Sequence, residues 1–292
     1  GANANNTAVG YNAGANITTG VQSEFFGALA GDALTDADYN VGIGYGTLSS
    51  DTLGSRSTAV GHSALASQNF TSATNSNNTA VGFYAGVAVT TGTHNTVIGS
   101  QAGLDLTTGG RNIFVGYDSG AEITTADDCV AIGYQAGGGA ADSAATGHDN
   151  ISIGTFTGKE MTSGYSNTIV GQSAGDDITT GYQNTFVGKG AGNVYTTGYR
   201  NICIGMSAGN TLTTTHDSVY IGTEAGQYCD QQNIAIGYQS LRYRCNNYNI
   251  AIGYQAMVGT EHTGRAQNVC IGYQTLNPAT SASFNVAVGH QA

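Results

Sequence analysis

A glycine preceded by Val or Ile returns along this chain at a nearly fixed spacing. It stands at Gly10, Gly27, Gly44, Gly61, Gly82, Gly99, Gly116, Gly133, Gly154, Gly171, Gly188, Gly205, Gly222, Gly237, Gly253, Gly272 and Gly289, with Phe26 replacing the β-branched residue once. Of the 16 intervals, 11 are 17 residues long; the others are 21 twice, then 15, 16 and 19. A unit of that size is one supersecondary piece that cannot bury a face alone, so such a chain folds by stacking its units.

Position-specific residues recur inside the unit. Four before the glycine stands Asn in 13 units, Ser23, Ser57 and Ser218 in three, and Cys129 in one. Three after it the residue is always Ala, Ser or Thr. Four after it is Gly in eleven units, with Leu48, Leu65, Leu241, Met257 and Leu276 among the others. β-Branched residues at alternate positions before the glycine read as a short strand. A second strand is expected seven residues after it, at Ile17-Thr18-Thr19, Leu106-Thr107-Thr108, Ile178-Thr179-Thr180 and Leu212-Thr213-Thr214. Strands this short pair stably only with copies of themselves, one coil above the next. The expected fold is therefore all-β: a β-solenoid (β-roll) of about 17 coils, a rod of order 80 Å at about 4.8 Å per coil.

Residues 1–292 read as one repeat array, expected to be a fragment of a longer fibre, with inserted loops near 67–78 and 138–149 where the interval is 21. The Asn corner offers hydrogen bonds to its own backbone and to its stacked equivalents. The Val/Ile pair, the small residue and one apolar residue of the second strand make only a thin core, which barely offsets the entropy of ordering each coil. A parallel homotrimer is expected on that ground. The residue two before the glycine (Ala8, Phe25, Val97, Phe114, Ile169, Phe186, Cys203, Tyr220, Ala235, Cys270) is taken to face an inter-chain contact.

Composition limits the partners. Charged residues are 9% of the chain, where a soluble domain has about a quarter, so Asn, Gln, Ser, Thr and Tyr must cover its surface. Nineteen acidic against eight basic residues disfavour nucleic acid and anionic membrane. No run of about 18 apolar residues is present to insert into a bilayer.

The phrases NIAIG at 233–237 and 249–253, VAIG at 130–133 and NVAVG at 285–289 resemble the core phrase of YadA-like heads of trimeric autotransporter adhesins. The longer phrase NTFVGKGAG, followed by TTG, is similar to β-solenoid repeats in bacteriophage tail fibres. The resemblance implies a trimeric β-roll and a role in attachment or as a shaft. This unit is longer than the usual YadA-like repeat, and no neck, stalk or anchor accompanies it in this segment.

Chemistry-bearing residues are few. Cys229 and Cys245 each precede a repeat glycine by eight residues, which stacks them about 5 Å apart on adjacent coils. A disulfide staple in an oxidising setting is preferred to two stacked thiols. Cys203 and Cys270 share a register four coils apart and are expected to be buried thiols. Tyr165, Tyr182 and Tyr199 recur every 17 residues and form a possible surface-contact ladder. Such rings either stack on sugar rings or simply stabilise adjacent coils, the second being preferred. Asp32, Asp36, Asp38, Asp127, Asp128, Asp176 and Asp177 read as solvated turns rather than calcium ligands, and the six His are scattered. No catalytic, cofactor or metal site is expected, since no paired carboxylates fall in register on neighbouring coils. The expectation is a non-enzymatic extracellular fibre segment, on a virion tail or a cell surface, whose partners are its own copies and a cell-surface glycan or protein receptor. The alternative is a self-assembling filament of a matrix or sheath.

Overall fold

The three residues before each repeat glycine form a strand, and every such strand is parallel to its neighbours. The computed structural model describes residues 5–138, 144–243, 245–259, 266–278 and 283–292, among which there is no helix. The chain comprises two compact units, 1–149 and 150–292, and each is a parallel β-solenoid. In the first, strands Thr7–Val9, Glu24–Phe26, Val41–Ile43, Thr58–Val60, Thr79–Val81, Thr96–Ile98, Ile113–Val115 and Val130–Ile132 pair in order. In the second, strands Ile151–Ile153, Thr168–Val170, Thr185–Val187, Ile202–Ile204, Val219–Ile221, Ile234–Ile236, Ile250–Ile252, Val269–Ile271 and Val286–Val288 do the same. Register never slips: Thr168, Ile169 and Val170 face Thr185, Phe186 and Val187.

The strand faces are the reverse of the expectation. The middle strand residue points into the coil, and Phe25, Val97, Phe114, Ile169, Phe186, Cys203, Tyr220, Ala235 and Cys270 are fully buried, Ala8 alone of the set being exposed. The Val/Ile pair points outward instead; Ile43 is 42% exposed and Ile153 36%. A three-residue strand turns two side chains to one side and one to the other. The interior, shared with Ala102 and Leu106 or with Ala174 and Ile178, has room for only the single one.

The second strands are also absent as regular ladders. Residues 17–19 form bends in which the Thr18 and Gly20 amides both donate to the Thr35 carbonyl, at 2.9 and 3.2 Å. That side of the coil is held by single points and by threonine hydroxyls. Thr18 Oγ1 donates to Thr35 O, Thr107 Oγ1 to Thr124 O and Thr179 Oγ1 to Thr196 O, at 3.0–3.1 Å. In the inserted loop 67–78, Thr74–Asn75 pairs with Gly54–Ser55 as a separate two-stranded ladder. Of the inserted loop 138–149, residues 139–143 lie outside the described residues, while Ala145 bridges to Ile123.

Corners depend on backbone conformations that few residues adopt. Gly171 has φ +130°, and a Cβ there would stand 2.6 Å from the Gly188 carbonyl oxygen of the next coil. Two and four residues after each repeat glycine the chain is left-handed again, as at Ser173 (φ 51°) and Gly175 (φ 52°). Leu48 and Leu65 hold the second of these positions at φ 52° and 51°, and both are fully buried.

The Asn corner links coils and, at several positions, also closes on nearby backbone, Asn201 Nδ2 donating to Tyr199 O at 3.1 Å and Asn285 Nδ2 to Ser283 O at 3.0 Å. Asn184 Oδ1 accepts the Asn201 amide at 3.0 Å, while its Nδ2 donates to the Gly198 carbonyl at 2.8 Å. Where Ser replaces Asn the chain of bonds survives: Ser23 N donates to Asn6 Oδ1 and Ser23 Oγ accepts Asn40 N. At Cys129 the amide donates to Asn112 Oδ1 at 2.9 Å and the thiol to the Gly147 carbonyl at 3.4 Å.

Candidate functional site

Among the described residues, no three of His, Cys, Asp and Glu gather around a possible metal position. What the repeat builds is surface. Each unit carries an outward row of β-branched side chains, exposed or half-buried, on its parallel sheet: Val41/Ile43, Thr96/Ile98 and Ile113/Val115 in the first, Ile151/Ile153, Ile202/Ile204 and Val269/Ile271 in the second. A strand of three residues is about 10 Å long, and nine strands at about 4.8 Å span about 40 Å, so a single row covers about 400 Å². Its column one residue before each glycine is Val or Ile throughout except Phe26, while the other outward column also holds Thr168, Thr185 and, in the first unit, Glu24.

Along the corner of the second unit run aromatic rings. Tyr165, Tyr182 and Tyr199 stack in that order with centroids 4.9 Å apart and planes within 4°. His216 extends the column, 4.8 Å beyond Tyr199. A second column, Tyr238, Tyr254, Tyr273 and His290, stacks at 4.9–5.3 Å. In the first unit His62 stacks on Tyr45. Each of these histidines stands one repeat after a tyrosine in the sequence, a spacing that already signalled its place in the column. His262 lies outside the described residues.

Two ion pairs follow the same step. Arg200 clasps Asp217 through Nε and Nη2, at 2.6 and 2.8 Å, and its guanidinium lies 4.8 Å from the Tyr199 ring centre. The Arg200 hydrogen bond, with that from His216, pushes the Asp217 carboxyl down to about 2. Arg111 holds Asp128 in the same way, lowering its pKa. Asp176 moves upward, because burial and the neighbouring Asp177 both disfavour its charge.

The sulfurs of Cys229 and Cys245 are bonded, with Cα atoms 4.7 Å apart. Both residues are buried, so the disulfide belongs to the core rather than to an exposed corner. Cys129, Cys203 and Cys270 are buried thiols. Burial pushes the Cys203 thiol up to about 12, against a weaker opposing effect of the Tyr195 hydroxyl, which leaves it protonated and unreactive at neutral pH.

Two ladders escaped the sequence reading. Gln291, Gln274, Gln255 and Gln239 each donate Nε2 to the side chain one coil before, ending on the Glu224 carboxylate at 2.7 Å. Beside loop 67–78, the fully buried Asp51 accepts Gly54 N, Phe70 N and Gln68 Nε2. The spacing of the Gln residues was visible. The Asp51 network was not, because it depends on where the inserted loop returns.

Neither known family models nor curated proteins match this chain. No helix of the described residues is long and apolar enough to cross a membrane.

Proposed function

We propose that this chain is a non-enzymatic, extracellular fibre segment, the shaft or attachment body of a phage tail fibre or of a YadA-like trimeric surface adhesin. The observation that carries the reading is the outward Val/Ile row. A continuous apolar strip on a parallel sheet, in a chain otherwise covered by uncharged polar groups, is what a surface between like chains requires. Parallel copies keep equivalent rows in register along their length, and a closed assembly hides each row from solvent. Three chains about a common axis is the arrangement that also agrees with the resemblance of NIAIG and NVAVG to adhesin heads. A fibre needs stiffness and surface rather than a catalytic cleft, and the stacked Tyr, Asn and Gln columns supply stiffness at every coil.

The test is the native mass of the purified particle by light scattering, with its outline by electron microscopy. A three-chain rod is expected. A single-chain particle would overturn the trimer, and long filaments with a regular subunit repeat would move the assignment to a matrix or sheath.

A further inference from the structure

In the second unit two successive repeats are shortened, from Gly222 to Gly237 and from Gly237 to Gly253. The coil before them keeps its full threonine side, 211–215. A cleft of about 420 Å³ lies there, lined by Thr211, Thr213, Tyr228, Asp230 and Asn246, with the Cys229–Cys245 disulfide in its wall. A second, of about 390 Å³, shares Asp230 and Asn246 and runs on past Tyr248 and Gln267. Both volumes fall within the range of small-molecule sites, about 300–1,000 Å³.

The lining selects a ligand class. Asp230 is the only charged residue among the described lining residues of either cleft, so among them an anion meets a carboxylate and no cation. A single carboxylate is too few for a metal ion. An added peptide strand needs free backbone groups, but the Asp230 amide already donates to Cys245 O and the Ile234 amide to Asn249 O. What remains free is the Asp230 carboxylate, which makes no hydrogen bond or ion pair among the described residues, and the ring of Tyr248. Tyr248 is 56% exposed and, alone among the exposed tyrosines of this unit, stacks on no other ring of the described residues. An aromatic face beside a carboxylate, amides and hydroxyls matches a ring with an apolar C–H face and a rim of hydroxyls.

We infer that the paired clefts bind a neutral oligosaccharide, one pyranose ring resting on Tyr248 and its vicinal hydroxyls donating to Asp230. This deepens the attachment reading above and rests on it. The experiment is calorimetric titration of the intact protein with maltohexaose, cellohexaose and mannohexaose, and with trigalacturonate as the acidic counterpart. At least one neutral hexaose binds, and trigalacturonate does not. Tyr248→Asn, chosen because Asn tolerates the φ of 66° at this corner, and Asp230→Asn each weaken binding about tenfold. Tyr39→Asn, in the first unit at a left-handed corner of the same kind (φ 60°), leaves it unchanged. Failure of all three neutral sugars to bind, preference for trigalacturonate, or binding indifferent to both cleft variants overturns the inference. Light scattering on the same samples separates the two proposals: a three-chain rod that binds no sugar refutes the clefts alone, and a single chain that binds refutes the trimer alone.

Discussion

At the scale of single residues, the repeat is enforced by groups with few tolerated replacements. Asn184, 1% exposed, satisfies the Asn201 amide and the Gly198 carbonyl at once. Asn184→Leu orphans both and should cost about 2–6 kcal/mol, at about 1–3 kcal/mol for each unsatisfied buried group. Asn184→Ser should cost less, because Ser23 shows that a hydroxyl still accepts the next amide. Denaturant melts of the two variants check that order, and equal losses would refute it. Gly171 is constrained twice, by φ +130° and by the nearness of the Gly188 carbonyl. Gly171→Ala should therefore destabilise by more than the about 1 kcal/mol that a lost glycine conformation alone accounts for, again read from melting. Leu65 shows where the balance differs: its left-handed backbone is strained, yet the side chain is fully buried, and burial of a leucine outweighs about 1–2 kcal/mol of strain.

At the scale of the coil, side chains one repeat apart act as neighbours, and this sets a pH dependence. The Asp217 carboxyl sits at about 2 rather than at its ordinary 3.8, because Arg200 and His216 hold its charged form. A depressed carboxylate contributes its stability above the unfolded value and loses it as pH falls through the folded one. The Arg200 pair should hence weaken between about pH 4 and pH 2, and Arg200→Gln should return the Asp217 titration midpoint, followed by NMR, toward 4. An unmoved midpoint would mean the clasp is not made in solution. The disulfide acts on the same scale. Its 16-residue separation predicts about 3 kcal/mol from loop closure. Reduction should raise amide exchange at Ile234–Ile236 and Ile250–Ile252 while leaving Thr168–Val170 unchanged, since each coil leans only on its neighbours.

The coil is also where legibility in the sequence stops. Spacing alone located every repeat strand from Thr7–Val9 to Val286–Val288 and the Tyr165–Tyr182–Tyr199 column, because a constant unit in a stacked fold leaves no freedom of register. It did not tell inside from outside. Alternation in T-I-V or I-C-I divides the side chains into two sets, and hydrophobicity assigns the larger set to the core. The closed coil reverses this, since its narrow interior accepts one strand side chain beside Ala208 and Leu212. The Thr-Thr segments read as strands by composition, yet left-handed corners such as Gln183 (φ 56°) bend the chain too soon for a second ladder.

For the whole molecule, that reversal decides what the surface is for. Had the Val/Ile pairs been interior, the face offered to a partner would have been the middle strand residues, Phe25, Phe114, Ile169 and Phe186 among them. With them outside, Ile202 and Ile204, 38% and 37% exposed, stand in the row that the proposed trimer buries. Ile202→Lys with Ile204→Lys changes nothing inside the coil, where Cys203 remains the inward residue, so the solenoid itself should persist. Two lysines per chain would bring six like charges to a buried axis, and an unpaired buried charge costs several kcal/mol. The variant should therefore sediment as a single chain with unchanged β-sheet circular dichroism. A variant that stays trimeric would show that the chains meet through another face, whereas loss of the β signal together with the trimer would show that the coils do not stand without their partners.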